Sequence, residues 1–147
     1  MKILVANVGS SSLKCQLLEM PAEKVLAKAN VERVGSENAM VQWTDRTGKI
    51  NKIETPLRNG VEAIKFVLAK LTDSTTGAIA NLGELDAVGF KPVCAKGYTG
   101  VQYLDEKVLA AMAEFNDYIC PMHNEACINA VRSFQQVLPK TPMAGLF

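Results

Sequence analysis

The opening stretch MKILVANVGSSSLKCQ constrains this chain more than any other. Ile3, Leu4, Val5, Ala6 and Val8 form a nearly continuous apolar run, the pattern of a strand buried on both faces. Asn7 interrupts that run, and a polar side chain in such a strand needs a partner or a task. Gly9, Ser10, Ser11 and Ser12 make a small-residue turn, and Leu13, Lys14, Cys15, Gln16 and Leu17 follow as a second strand. Gly9 lets the backbone approach a ligand closely or take a positive φ. The three hydroxyls and the turn amides are donors that can converge on phosphate oxygens, and Lys14 adds a positive charge. Physics alone offers two readings, a phosphate cradle or an ordinary hairpin turn, and ordinary turns are the commoner.

A length of 147 residues suits one domain with a real core. A net charge of +1 and the lack of any Lys/Arg-rich run argue against an electrostatic nucleic-acid binder. No apolar run is long enough to span a bilayer, and the N-terminus makes a poor signal peptide, so the expected location is cytoplasmic. Cys15, Cys94, Cys120 and Cys127 contain no C-x-x-C pair, and His123 is the single histidine. This argues against zinc and for reduced cysteines, mostly buried.

Further along, Pro21 marks a turn. The segment Glu23 to Val34 reads as a strand with Val25, Ala27, Ala29 and Val31 on one face, although a helix can also be drawn through it. Val41 and Trp43, the Asp45 to Gly48 turn, and Ile50 and Ile53 give a hairpin. The first third thus reads as a meander of about five strands. Thr55-Pro56 opens the first expected helix, with Val61, Ile64, Leu68 and Leu71 as its stripe. Thr72 to Asp86 reads as an exposed connection. Ala87 to Phe90 is a short strand, limited by Pro92. Asp105 caps a second helix bearing Val108, Leu109, Met112 and Phe115. Pro121 to Asn124 is read as a short connection, with a third helix starting at His123 or Asn124 and showing Ile128, Val131, Gln135 and Leu138 inward. Met143 to Phe147 is an incipient last strand.

The run Asn7-Val8-Gly9-Ser10-Ser11-Ser12-Leu13-Lys14 resembles the N-terminal signature of acetate kinases, a strand ending in Asn-x-Gly-Ser-Ser-Ser-Leu-Lys. No Walker-type phosphate loop occurs. The similarity continues through Glu23 to Val34, the helix capped by Asp105, the Pro-x-His-Asn of Pro121 to Asn124 and the final strand, so it covers essentially the whole chain. It implies an α/β fold: a ribonuclease H-like lobe of the acetate and sugar kinase/heat-shock chaperone/actin superfamily, with a mixed sheet flanked by helices. It also implies that residues 1–147 are a single, incomplete N-terminal lobe whose C-terminal lobe is absent.

The activity implied by the resemblance is phosphoryl transfer between ATP and a short-chain carboxylate, giving an acyl phosphate, with Mg2+ as cofactor. Asn7 would sit near the metal and the phosphates. Ser10, Ser12 and Lys14 would bind phosphate, Lys91 would bind substrate, and His123 would be the catalytic group steadying the transferring phosphoryl. The segment Phe90-Lys91-Pro92-Val93-Cys94-Ala95-Lys96 departs from the family's His-Arg-x-x-His-Gly-Gly, losing both histidines and both glycines. Lysine replaces an arginine fork there with a point charge on a flexible stem. The family's next motif carries a catalytic aspartate, which falls just beyond Phe147. Turnover by this chain alone is therefore not expected, and a degenerate, non-catalytic binding or regulatory lobe is the alternative. A sugar kinase or chaperone branch would open with Asp where this chain has Asn7. An exposed last strand would favour homo-oligomers or poor solubility.

Overall fold

A computed structural model describes residues 1–118 and 121–147, so Cys120 lies outside the described residues. The chain opens with a five-strand antiparallel meander: β1 (Lys2–Val8), β2 (Leu13–Glu19), β3 (Lys24–Glu32), β4 (Ser36–Thr44) and β5 (Ile50–Leu57). Then come α1 (Gly60–Leu71), β6 (Ala87–Phe90), β7 (Val101–Tyr103), α2 (Glu106–Ala113), α3 (Pro121–Val137) and β8 (Met143–Leu146). The described strands form one sheet in the order β5-β4-β3-β2-β1-β6-β8-β7. β1, β6 and β8 are mutually parallel, and the other pairings are antiparallel. This is a mixed, helix-flanked sheet, as the family resemblance implies.

Alternation along the strands sends Leu4, Ala6, Leu17, Val31, Val41 and Val88 to one face, where they are buried. The apolar sides of α1 and α3 close this core, and Phe134 of α3 meets Phe90 edge-to-face at 5.4 Å. The opposite face carries Val5, Lys14, Gln16 and Lys28, all exposed.

Pairing on both sides decides that Glu23 to Val34 is strand rather than helix. One detail differs from the expected pattern. A register shift between Leu17 and Leu18 inserts Leu26 as an extra residue, so Val25 pairs with Leu18 and is exposed rather than facing inward with Ala27.

Four expectations are corrected. Thr55 and Pro56 do not open a helix; they lie in β5, an edge strand, where a missing N–H is tolerated. The helix begins at Gly60 with Asn59 as its cap, whose side chain accepts the Glu62 N–H at 2.9 Å. Pro121 to Asn124 is not a connection but the first turn of α3. The segment from Thr72 to Asp86 is not a merely exposed loop: Ile79 and Leu85 are buried, Asn81 and Glu84 form a capping box, and Lys2 Nζ meets Glu84 at 2.6 Å. Finally, the last strand is not an exposed edge. β8 lies between β6 and β7, a short strand that composition did not reveal.

Candidate functional site

Three neighbouring hollows gather at one end of β1. The first is lined by the turn Ser10 to Ser12, by Gly60 of α1 and by Asn129 and Ser133 of α3, and it holds 200 Å³. Within the turn the Gly9 N–H donates to the Ser12 carbonyl at 3.0 Å. A Cβ on Gly9 would lie 2.6 Å from Ser12 Oγ, so a larger residue here would turn the Ser12 hydroxyl into another rotamer. Gly60 starts α1, so the orphan amides of that helix end beside the serine turn.

The second hollow lies on the open face of the meander. Register places Asn7 opposite Lys14, Lys14 opposite Asn30, and Asn30 opposite Gln42, making a polar row across four strands. Asn30 Oδ1 is buried there without a hydrogen-bond partner among the described residues.

The third is a cavity of 120 Å³ lined by Asn7, Phe90, Lys91, Val93, His123 and Cys127, among others. That is well below the ~300 Å³ lower bound of drug-sized pockets, so it suits a phosphoryl group or a very small acid. It sits beyond the carboxyl ends of the parallel pair β1 and β6, the usual ligand position in such sheets. His123 is exposed in the first turn of α3, where the helix dipole favours an anion. Lys91 directly follows β6, and its ammonium donates to the Leu146 carbonyl at 3.2 Å. Burial pushes the Cys127 thiol up to about 11, which makes it an inert wall rather than a nucleophile.

The structure thus brings together three of the six candidate residues, Asn7, Lys91 and His123. Ser10 and Ser12 line the adjoining hollow on the helix side. Lys14 neighbours Asn7 across the ladder but lines the hollow on the open face. Among the described residues no group of three His, Cys, Asp or Glu side chains could hold a metal ion, and no carboxylate lines the 120 Å³ cavity.

Sequence reasoning missed the polar group that ties this site together. Asn124 is fully buried. Its Nδ2 donates to the carbonyls of Cys94 and Met112, both at 3.0 Å, and its Oδ1 accepts the Cys94 N–H at 3.4 Å. Three turns on, Gln135 donates to the Leu104 carbonyl at 3.2 Å. Asn124 and Gln135 share the stripe of Ile128 and Val131, and a polar residue on an apolar stripe was the available signal.

Likeness to known proteins bears on the family and the fold. The family model of the acetokinase family matches residues 2–147. The acetate kinase of Caldanaerobacter subterraneus subsp. tengcongensis is 39% identical over 148 residues, covering 100% of this chain and 37% of that protein. That of Agathobacter rectalis is also 39% identical, with the same coverage. The crystal structure of Porphyromonas gingivalis acetate kinase superposes with a TM-score of 0.92 at 33% identity, over 99% of this chain and 37% of that one. A propionate kinase from Francisella tularensis subsp. tularensis SCHU S4 gives a TM-score of 0.82 at 25% identity, over 99% of this chain and 36% of its own. The chain therefore spans a little over a third of the length of the relatives it matches. With the whole of its described sheet accounted for in those folds, the chain belongs to the acetokinase family.

Proposed function

We propose that residues 1–147 are the phosphate-gripping, N-terminal lobe of an acetate kinase-type carboxylate kinase, which moves the γ-phosphoryl of ATP to a short-chain carboxylate and yields an acyl phosphate. The observation that carries the reading is the convergence of Asn7, Lys91 and His123 on one small cavity at the ends of β1 and β6. Phosphoryl transfer asks little covalent chemistry of a protein; it asks for positioned donors and cations around spreading negative charge. His123 supplies an N–H donor at a helix N-terminus, and Lys91 supplies a cation. Ser10, Ser12 and Lys14 hold the remaining phosphates.

Magnesium does not fit these residues alone, because the ion prefers carboxylate, phosphate and water oxygens in octahedral geometry and this cavity has no carboxylate. Asn7 offers one neutral oxygen. In this reading the metal travels on the nucleotide phosphates, and no step is assigned to it. The remaining two-thirds of the relatives' length would supply a second lobe to close the cleft, exclude water and align both substrates. Among the described residues no helix is long and apolar enough to cross a membrane.

The experiment joins this chain to the remaining part of the Caldanaerobacter protein and measures acyl phosphate formed from acetate or propionate with Mg-ATP. Turnover is expected, and His123→Ala should lower kcat by roughly 10²-fold or more, as for loss of one transition-state donor. A folded chimera inert toward every short carboxylate would sink the catalytic reading. It would favour the second one, a non-catalytic binding lobe, whose support is that Lys91 spends its ammonium on the Leu146 carbonyl.

A further inference from the structure

We infer that Asn124 is a positioning residue: it pins the loop that carries Lys91 to the helix that carries His123, so that the two site groups hold one geometry. The inference rests on the site assigned above. Lys91 stands on an irregular segment, Lys91 to Tyr98, which has a single isolated bridge, Ala95 to Tyr98, as its local pairing among the described residues. His123 stands on α3, a separate element about thirty residues later. The buried link between that segment and the first turn of α3 is the Asn124 carboxamide.

The fit is specific to a carboxamide. Cys94 presents a main-chain N–H and C=O together, and Met112 presents a carbonyl near the end of α2. One acceptor and two donors are needed, and Asn offers all three from a short side chain. Aspartate has no donor, and alanine leaves the part-buried Cys94 N–H and C=O without this partner and strips one of the donors from the Met112 carbonyl, which keeps the Phe115 N–H. Because Asn124 directly follows His123 and Cys94 lies three residues after Lys91, a slip of this pin displaces both groups relative to each other. The same pin holds α2 against the site through Met112, so three elements are fixed by one residue.

The test compares three forms of the 147-residue chain by amide hydrogen exchange and by nitrogen-15 NMR with inorganic phosphate as the probe. The forms are the wild type, Asn124→Ala, and Val67→Ala. Val67 is buried in α1 away from the Lys91 segment, so it controls for lost stability alone. Asn124→Ala should speed Cys94 amide exchange by roughly a hundredfold, beyond any change in the slowest amides of β1, a local opening rather than a global one. It should also weaken phosphate shifts at the His123 ring and the Lys91 amide about tenfold while leaving those at Ser12 and Lys14 in place. Should Asn124→Ala fail to fold, Asn124→Ser, which keeps a small polar group, gives the same exchange measurement. Equal effects in the two alanine variants, or a Cys94 amide as protected as in the wild type, overturn the inference. If phosphate moves no resonance even in the wild type, the functional reading fails, while the Cys94 exchange still decides the pin.

Discussion

Gly145→Ala should destabilise this lobe through one contact that can be read directly from the structure. Gly145 lies in β8 opposite Phe90 of β6. A Cβ there would come within 2.8 Å of Pro92 Cγ, 3.0 Å of Leu104 Cδ2 and 3.2 Å of Pro92 Cδ. Pro92 is fully buried, and its ring is tied to the backbone at both ends, leaving only a change of pucker against packed neighbours. The backbone of β8 or the Lys91 segment must therefore move. Overpacking of this kind costs about 1–3 kcal/mol. At roughly 2–4 °C per kcal/mol for a domain of this size, the thermal midpoint should fall by about 2–12 °C. The internal control is Gly89→Ala in the adjacent strand, where the nearest atom is Ile3 Cγ2 at 3.9 Å, an ordinary contact. That variant should stay within about 0.5 kcal/mol of the parent. Urea unfolding followed by circular dichroism measures both, and a double-mutant cycle with Pro92→Ala isolates the cause. With the ring removed only the Leu104 contact remains, so the penalty for Gly145→Ala should shrink. A Gly145→Ala midpoint equal to that of Gly89→Ala, or a penalty unchanged by Pro92→Ala, would refute the steric argument.

Gly77→Ala should be worse, by about 3 kcal/mol or more, because the added Cβ meets main-chain atoms of Leu71 and Asp73 at 2.5–2.6 Å and backbone cannot swing aside; an unfolding midpoint near the parent's would contradict this. On the alkaline side, burial pushes the Cys15 thiol up to about 12 from an ordinary value of 9.0. A raised folded value means full stability below about pH 9, lost as pH rises through 9 toward 12, with a slope of up to about 1.4 kcal/mol per pH unit. Cys15→Ala should flatten that limb in urea titrations at pH 8 to 10, and an unchanged slope would refute the assignment. On the acid side, Asp45 is held low by its bonds from Thr47 and Asn51, Asp73 by those from Thr76 and Thr75, and Glu84 by Lys2 and Ala80. Depressed carboxyl groups stabilise above their unfolded values, so stability should hold down to about pH 4 and fall as acid titrates through the folded values below it. Thermal midpoints that rise between pH 4 and 2 would contradict this.

The site was legible to the extent that it is local in the chain. Asn7, the Gly9 to Ser12 turn and Lys14 form one hairpin, so the residues for which the resemblance implies a phosphate role stand together in the sequence. The order of elements was equally readable where the apolar period was clean, as in β1, α2 and most of the meander. Signals failed where tertiary context overrode them. Pro56 looks like a helix opener, yet it sits safely in a strand because β5 is an edge. Val25 looks inward by period two, yet an extra residue in β3 turns it outward. Val101 to Tyr103 is too short to announce itself and exists as a strand by pairing with β8.

What the sequence determined by itself is what neighbouring residues decide: strands and helices where the apolar period is clean, the small-residue turn after β1, and the Asp105 cap written in its residue type. What only the tertiary structure decided is what residues distant in the chain do to one another. Parallel pairing of β1 with β6 sets Asn7 beside Lys91, and the seating of α3 adds His123. The Asn124 carboxamide then fixes Cys94 and Met112 across gaps of 30 and 12 residues. Hydrogen-bond partners and close-packed contacts depend on three-dimensional distance, which local periodicity does not encode.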